Sequence, residues 1–116
     1  MKTNIFGPAV EFEHYADGRV AFKLKDIVAA LGLDWAGQYH KTKSDPFERY
    51  KVFSERFDTA DERTVMSVAI FADNVQNFLD DINVNRCPKD AAVKVLSIRD
   101  SLRGRNLVEE ALQHLI

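Results

Sequence analysis

Cysteine is nearly absent from this 116-residue sequence, which contains only Cys87. A single thiol cannot close a disulfide within the chain, so the fold has to be stabilised by a packed core. Such sparse use of cysteine is typical of proteins that work in a reducing compartment. We therefore expect a cytoplasmic protein, and the length predicts one domain with one core.

Long apolar runs are also missing. No such run exceeds five residues, as at 68–72, whereas a membrane-spanning helix needs roughly 20. The N-terminus lacks the extended apolar segment of a secretory signal. These absences predict that the protein neither crosses a membrane nor is secreted.

Motifs for catalysis and cofactor binding are absent as well. The sequence contains no Gly-x-Ser-x-Gly turn, no glycine-rich phosphate loop and no His-Glu-x-x-His pair. Its three histidines lie on distant segments, and five glycines leave little loop from which to build a catalytic pocket. We expect no enzymatic activity, no cofactor and no metal ion.

Charge of one sign is not in excess either, because sixteen Lys and Arg residues face eighteen Asp and Glu residues. The resulting net charge of -2 gives no global positive field that would attract phosphate backbones. Direct binding of nucleic acid is therefore not expected unless a local patch supplies it.

The patterns that are present begin with two pairs of alternating runs. Apolar residues alternate at 10–14 and 20–24 around Asp17-Gly18, which is a strong signal for a β-hairpin. The runs 50–57 and 64–71 predict a second hairpin. Its predicted buried face comprises Met66, Val68 and Ile70.

Helical periodicity dominates the rest of the chain. The predicted helices cover 25–31, 34–45, 72–82, 88–103 and 107–115, with Gly32 ending the first and Asn106 capping the last. We thus predict an α+β fold, in which two β-hairpins form a small antiparallel sheet packed with about five helices, with a long helix near the C-terminus. The predicted core faces of the 72–82 and 88–103 helices are Val75, Phe78, Leu79 and Ile82, and Ala91, Val95, Ile98 and Leu102.

Candidate partner-binding residues fall into an aromatic group and an acidic group. Trp35 and Tyr39 lie four residues apart on one predicted helical face, where they either anchor a partner or pack in the core. Acidic residues at and before the tip of the second hairpin would present a negative surface suited to a basic protein. The candidate set is Trp35, Gln38, Tyr39, Asp58, Asp61 and Glu62.

A basic segment covers 86–105, where six Lys and Arg side chains face only Asp90 and Asp100. Such a run is compatible with phosphate contacts, although a solvated helix face is the commoner explanation. If the chain contacts nucleic acid, we expect the contact residues to be Arg86, Lys94, Arg99 and Arg103.

The last predicted helix carries an apolar stripe although it follows a break at Gly104. A helix of about ten residues is marginal alone, so the stripe docks either on the chain's own core or on a second copy. We therefore divide the chain into a main unit, 1–105, and a candidate oligomerisation helix, 106–116, for a homodimer or homotetramer. The stripe residues are Leu107, Val108, Ala111, Leu112 and Leu115.

Three sequence elements carry a family resemblance. They are Gly32-Leu33-Asp34-Trp35 followed by Gln38, then Asp45-Pro46, then the segment 77–86. In this order they resemble the N-terminal domain of phage antirepressors, with its Gly-Leu-Asp-Trp-x-x-Gln, Asp-Pro and Trp-Leu-x-x-Ile-Asn-x-Asn-Arg elements. The resemblance extends over about 10–102, with Phe78 where the family commonly has Trp.

The resemblance implies a phage regulator in the bacterial cytoplasm that binds a phage repressor, at its DNA-binding domain, and blocks operator binding so that lytic genes are expressed. A mildly acidic oligomer would meet a basic repressor through protein contacts alone. Related domains have also been associated with DNA binding, so a DNA-binding regulatory module is the alternative. A phage inhibitor of a host or defence protein would use the same kind of surface.

Overall fold

A five-stranded antiparallel sheet and a set of helices make up an α+β fold in this computed structural model, which describes residues 1–38, 50–58 and 64–116. The predicted fold class is confirmed. In the part of the chain that is described, no helix is long and apolar enough to cross a membrane.

The strands are β1 (Lys2–Thr3), β2 (Val10–His14), β3 (Val20–Lys23), β4 (Phe53–Asp58) and β5 (Thr64–Phe71). The helices are α1 (Leu24–Ala30), α2 (Ala72–Asp80), a 3-10 helix (Val84–Arg86), α3 (Lys89–Leu102) and α4 (Leu107–Gln113).

The strand order is β1-β2-β3-β5-β4, and every neighbouring pair is antiparallel. Both predicted hairpins are therefore confirmed. In the first, Gly18 has a φ of +91° and the Asp17 carboxylate accepts a hydrogen bond from the Arg19 amide at 3.0 Å. Glycine at a positive φ is what a tight hairpin turn needs.

Several predicted boundaries were wrong. The second hairpin begins at Phe53 and not at Tyr50, because Tyr50 is helical and Lys51 turns the chain with a φ of +49°. Leu24, assigned to the first hairpin, opens α1. The two-residue strand β1 was missed, since it is too short to show a pattern. Residues 35–38 are helical as predicted, whereas the end of that helix at Asp45-Pro46 lies outside the described residues.

The main core lies between one face of the sheet and the helices. Both predicted helix faces contribute to it, and α4 packs into the same core through Leu107 and Ala111. Ile98 is only half-buried at its edge. The residues confirmed as buried are Val75, Phe78, Leu79, Ile82, Ala91, Val95 and Leu102.

The opposite face of the sheet encloses a second cluster. Ala21, Phe57 and Ala69 are fully buried there, and the sheet curls so that β2 approaches β4 across two intervening strands. The Tyr15 hydroxyl, just after β2, donates a hydrogen bond to the Glu55 carboxylate of β4. Burial and this hydrogen bond raise the pKa of Tyr15. The small side chains of Ala21 and Ala69 leave room inside the curl for aromatic rings.

The predicted buried face of β5 is only partly correct. Ile70 is fully buried and Val68 half-buried, but Met66 is 55% exposed. The cause is the position of β5 in the sheet, because only residues 69–71 lie beside β3. At Met66 the strand pairs with β4 alone, so this part of β5 extends past the main core and Met66 stays exposed.

The C-terminal segment closes back onto the N-terminus. Asn106 caps α4 as predicted, since its side-chain oxygen accepts hydrogen bonds from the amides of Val108 and Glu109 at 3.1 and 3.2 Å. The helix ends at Gln113 and not at Leu115. Leu115 instead forms a β-bridge with Thr3, so the last residues cover the outer edge of β1.

Gly32 provides the first testable prediction. It ends α1 with a φ of +73°, a conformation that costs a residue with a side chain roughly 1–2 kcal/mol. Gly32→Ala should lower the free energy of unfolding by about that amount, measured by urea denaturation. The matched control is Gly37→Ala, which should leave stability unchanged or raise it by up to about 1 kcal/mol, because Gly37 is helical and, of the residues that the structure describes, its added Cβ meets only Asp34, at 3.9 Å. Equal losses in the two variants would contradict the prediction.

Candidate functional site

A groove lies between the segment that follows α1 and the segment that joins α2 to α3. Its volume is about 480 Å³. The two walls come from regions far apart in the sequence, and each region belongs to one of the elements that resemble antirepressor domains. The lining residues are Leu33, Asp34, Gly37, Gln38, Asp81, Ile82, Asn83, Arg86, Cys87 and Pro88.

The first wall is positioned by the end of α1. The amide of Gly32 donates to the carbonyl of Ala29 at 3.0 Å, and that of Leu33 to Val28 at 3.1 Å, which is the hydrogen-bond pattern of a glycine-terminated helix. The Asp34 carboxylate then accepts from the Gly37 amide at 3.3 Å and so starts the helical residues 35–38.

The second wall is positioned by Asn83. Its side chain accepts a hydrogen bond from the Asn85 amide at 3.1 Å and thereby begins the 3-10 helix. Its carbonyl accepts from the Arg86 amide at 3.0 Å and from the Cys87 thiol at 3.4 Å. Pro88 then caps α3, with a fixed φ that suits the start of a helix. Each turn of this wall is thus held by its own local hydrogen bonds.

Behind the second wall, Tyr50, which precedes β4, contacts the end of α2. The Tyr50 hydroxyl donates to the Asp81 carboxylate at 2.5 Å, and its ring packs edge-on against Phe78 with centroids 5.7 Å apart. Because Phe78 and Ile82 are both buried, the groove rests on the rigid main core.

The groove combines an apolar base with polar side chains. Ile82 supplies a buried apolar base, the buried side-chain oxygen of Gln38 has no hydrogen-bond partner among the described residues, and the side chain of Arg86 is exposed. An unpaired acceptor in a partly apolar groove favours a ligand that supplies a donor, because the acceptor then recovers the hydrogen bond it lost with water. Over the described ranges, no cluster of three or more His, Cys, Asp and Glu residues could hold a metal ion.

No family model, no curated protein and no solved structure matches this chain. The likeness to antirepressor domains therefore rests on the sequence elements described above, and the groove is assigned from its own geometry.

Of the predicted partner-binding residues, the structure describes Trp35, Gln38 and Asp58. Gln38 lines the groove, while Trp35 is half-buried and packs against the core. Asp58 is the last residue of β4. Tyr39, Asp61 and Glu62 lie outside the described residues.

The predicted oligomerisation residues face the chain's own core to different degrees. Leu107 and Ala111 are buried, and Val108 and Leu112 are partly buried against the core. Leu115 is 51% exposed. The apolar stripe of α4 is therefore already covered along most of its length.

The predicted nucleic-acid residues do not form one surface. The Arg99 guanidinium donates to the carbonyls of Leu79 and Ile82 at the end of α2, at 2.7 and 2.9 Å from Nη2. Arg103 pairs with Asp80 at 2.8 Å. Partial burial opposes ionisation of Asp80, but hydrogen bonds from Gln76 and Arg103 outweigh it and lower the pKa of this carboxyl group. Arg86 and Lys94 are left exposed.

The structural role of Arg99 was missed by the sequence analysis, although its position contained a signal. Arg99 follows Val95 by four residues and precedes Leu102 by three, and both of those side chains are buried. Residues at that spacing share one helical face. An arginine beside the core face of a helix is placed to bind polar groups of a neighbouring element, here the carbonyls of Leu79 and Ile82 at and just after the end of α2.

Proposed function

We propose that this protein is a phage antirepressor, which acts in the cytoplasm of the bacterial host by binding a phage repressor and preventing the repressor from holding its operator. The groove carries the proposal. Two of the three sequence elements that resemble antirepressor domains line it from opposite sides. A shared binding role is the simplest reason for two such distant elements to meet at one surface.

The partner's chemistry follows from the groove and from the charge of the chain. The DNA-binding surface of a repressor is rich in Lys and Arg donors, and the groove offers them the exposed carboxylate of Asp34. The buried oxygen of Gln38, which has no partner among the described residues, accepts such a donor when its side chain turns toward the groove. The net charge of -2 avoids repulsion from such a basic domain. A repressor held in this way has its phosphate-binding surface covered, and this mechanism needs neither catalysis nor a cofactor.

The test uses a preformed complex of the repressor from the same phage with its labelled operator, observed by gel shift. Added protein in excess should release free operator DNA. An operator that stays bound at excess protein would refute the antirepressor proposal. A shift of the operator by this protein without repressor would instead indicate the DNA-binding alternative, with Arg86 and Lys94 as the exposed basic contacts.

The groove itself is tested by Gln38→Ala, with Gln113→Ala as the matched control. Gln113 is exposed on α4, outside the groove. We expect Gln38→Ala to need roughly tenfold more protein for half-release of the operator, since a buried hydrogen bond to a charged donor contributes about 1.5–3 kcal/mol. Its stability should not fall, because the Gln38 oxygen has no partner within the described fold. Release equal to that of the control variant would show that the groove is not the contact.

A further inference from the structure

The longest helix, α3, exposes two apolar side chains on the side away from the core. Val93 is 62% exposed and Leu96 43% exposed. Lys89 and Asp100 flank them along the helix, and both are exposed. Residues spaced by four, three and four positions follow one line on a helix, which is the spacing of a coiled-coil contact. We name these four residues, Lys89, Val93, Leu96 and Asp100, the α3 stripe.

We propose that the α3 stripe is the contact through which two copies of this chain pair as an antiparallel, two-fold symmetric dimer. The stripe is symmetric about its own midpoint, with an apolar pair at the centre and one charge at an equal distance on each side. A two-fold contact requires a surface that is complementary to itself. An antiparallel pair places Val93 against Leu96 of the partner subunit and Lys89 against Asp100 of the partner subunit.

The charges select this orientation. In a parallel pair, Lys89 would face the same lysine of the second copy, and Asp100 would face the same aspartate. Like charges facing each other along a helix contact are destabilising, whereas the antiparallel pair forms two oppositely charged contacts. Arg103, which directly follows α3 on the Asp100 side of the stripe, already pairs with Asp80 at 2.8 Å within its own chain. The second copy is therefore the partner that the charge pattern fits.

The α3 stripe is also better placed for self-association than α4, whose Leu107 and Ala111 are buried in the main core. A contact between two helices of this length covers less than the roughly 1,200–2,000 Å² of a stable interface. We therefore expect a weak dimer that forms as protein concentration rises. This inference does not depend on the antirepressor proposal, since it is measured on the protein alone.

The first test is sedimentation velocity over a concentration series. The wild type should show a reversible shift from monomer to dimer, and Leu96→Glu should raise the dissociation constant at least about tenfold, because it places a charge in the centre of the contact. The matched control is Leu115→Glu, since Leu115 is exposed to a similar extent, at 51%, on the C-terminal segment. The control should dimerise like the wild type. Circular dichroism at low concentration checks that each variant is folded.

The second test is a charge reversal that is independent of the apolar pair. Lys89→Asp alone and Asp100→Lys alone should each weaken the dimer by about threefold or more, since each creates two like-charge contacts per dimer. The double variant should recover the affinity of the wild type, because it exchanges the two charges and restores opposite pairs. A parallel dimer would show no such recovery, because every variant would still oppose like charges.

Besides a double charge variant that does not recover, three results would overturn the inference. The first is a wild type that stays monomeric over the whole concentration series. The second is a dimer that survives Leu96→Glu, and the third is a dimer that Leu115→Glu dissociates, which would place the contact at the C-terminal segment. If the protein dimerises through the α3 stripe but does not release the operator from the repressor, only the antirepressor proposal is refuted.

Discussion

Arg99→Ala should lower the free energy of unfolding by about 2–4 kcal/mol, which corresponds to a fall of roughly 10–20 °C in the melting temperature. The Arg99 side chain is only 15% exposed, and its Nε and Nη2 atoms both lie within hydrogen-bond distance of the Leu79 carbonyl, at 3.1 and 2.7 Å. Nη2 also donates to the Ile82 carbonyl at 2.9 Å. The substitution leaves these two acceptors without the donor that ties α3 to the end of α2. A positive charge there also complements the negative end of the α2 dipole.

The control for Arg99 is Arg103→Ala, at the residue that directly follows the same helix. Arg103 is 54% exposed and pairs with Asp80 on the surface, so its loss should cost less than about 1 kcal/mol. Arg99→Lys should fall between the two, because an ammonium group cannot bind two carbonyls with the planar geometry of a guanidinium. Urea denaturation of the three variants measures the differences. Equal stability of Arg99→Ala and Arg103→Ala would contradict the capping role of Arg99.

This role changes how the DNA-binding alternative has to be tested. A loss of duplex binding in Arg99→Ala would reflect a destabilised fold as readily as a lost phosphate contact. Arg86 and Lys94 are exposed, so their substitution by alanine removes charge without removing a helix connection. If the chain binds phosphates through these residues, their variants should bind more weakly and show a shallower dependence on salt.

The features predicted correctly from the sequence are those that depend on neighbours along the chain. The face of α2 was predicted because apolar side chains recur at the helical period from Val75 to Ile82. The Asn106 cap and the Gly18 turn were predicted because each is a local hydrogen-bond or dihedral requirement of one residue. Such features are determined within a few residues, and the fold class follows from their order.

The features that were missed depend on contacts between distant segments. β5 is apolar on both of its faces at Ala69, Ile70 and Phe71, so alternation alone could not show that the sheet buries both sides. The curl that encloses the second cluster requires β2 to meet β4, which are far apart in the sequence. The groove is a similar case, because the resemblance marked Gln38 and Arg86 separately and only the packing of their two segments around the main core brings them to one surface.

Phe57→Ala should lower the free energy of unfolding by about 3–5 kcal/mol, the usual cost of removing a buried aromatic ring. Phe57 is fully buried in the second cluster, where the stacked rings of Phe53 and Phe71 lie 4.6 Å apart. Ala21 and Ala69 are too small to fill the space that the missing ring would leave. Thermal unfolding followed by circular dichroism measures the effect.

The matched comparison is Met66→Ala on the neighbouring strand. A sheet with one buried face would make Met66 the core residue, and its loss would then cost about 2–5 kcal/mol. In the curled sheet Met66 is 55% exposed, so the substitution should change stability by less than about 0.5 kcal/mol. A sheet with one buried face predicts the larger loss of unfolding free energy for Met66→Ala, whereas the curled sheet predicts the larger loss for Phe57→Ala. A larger loss in Met66→Ala than in Phe57→Ala would refute the second cluster and with it the close approach of β2 to β4.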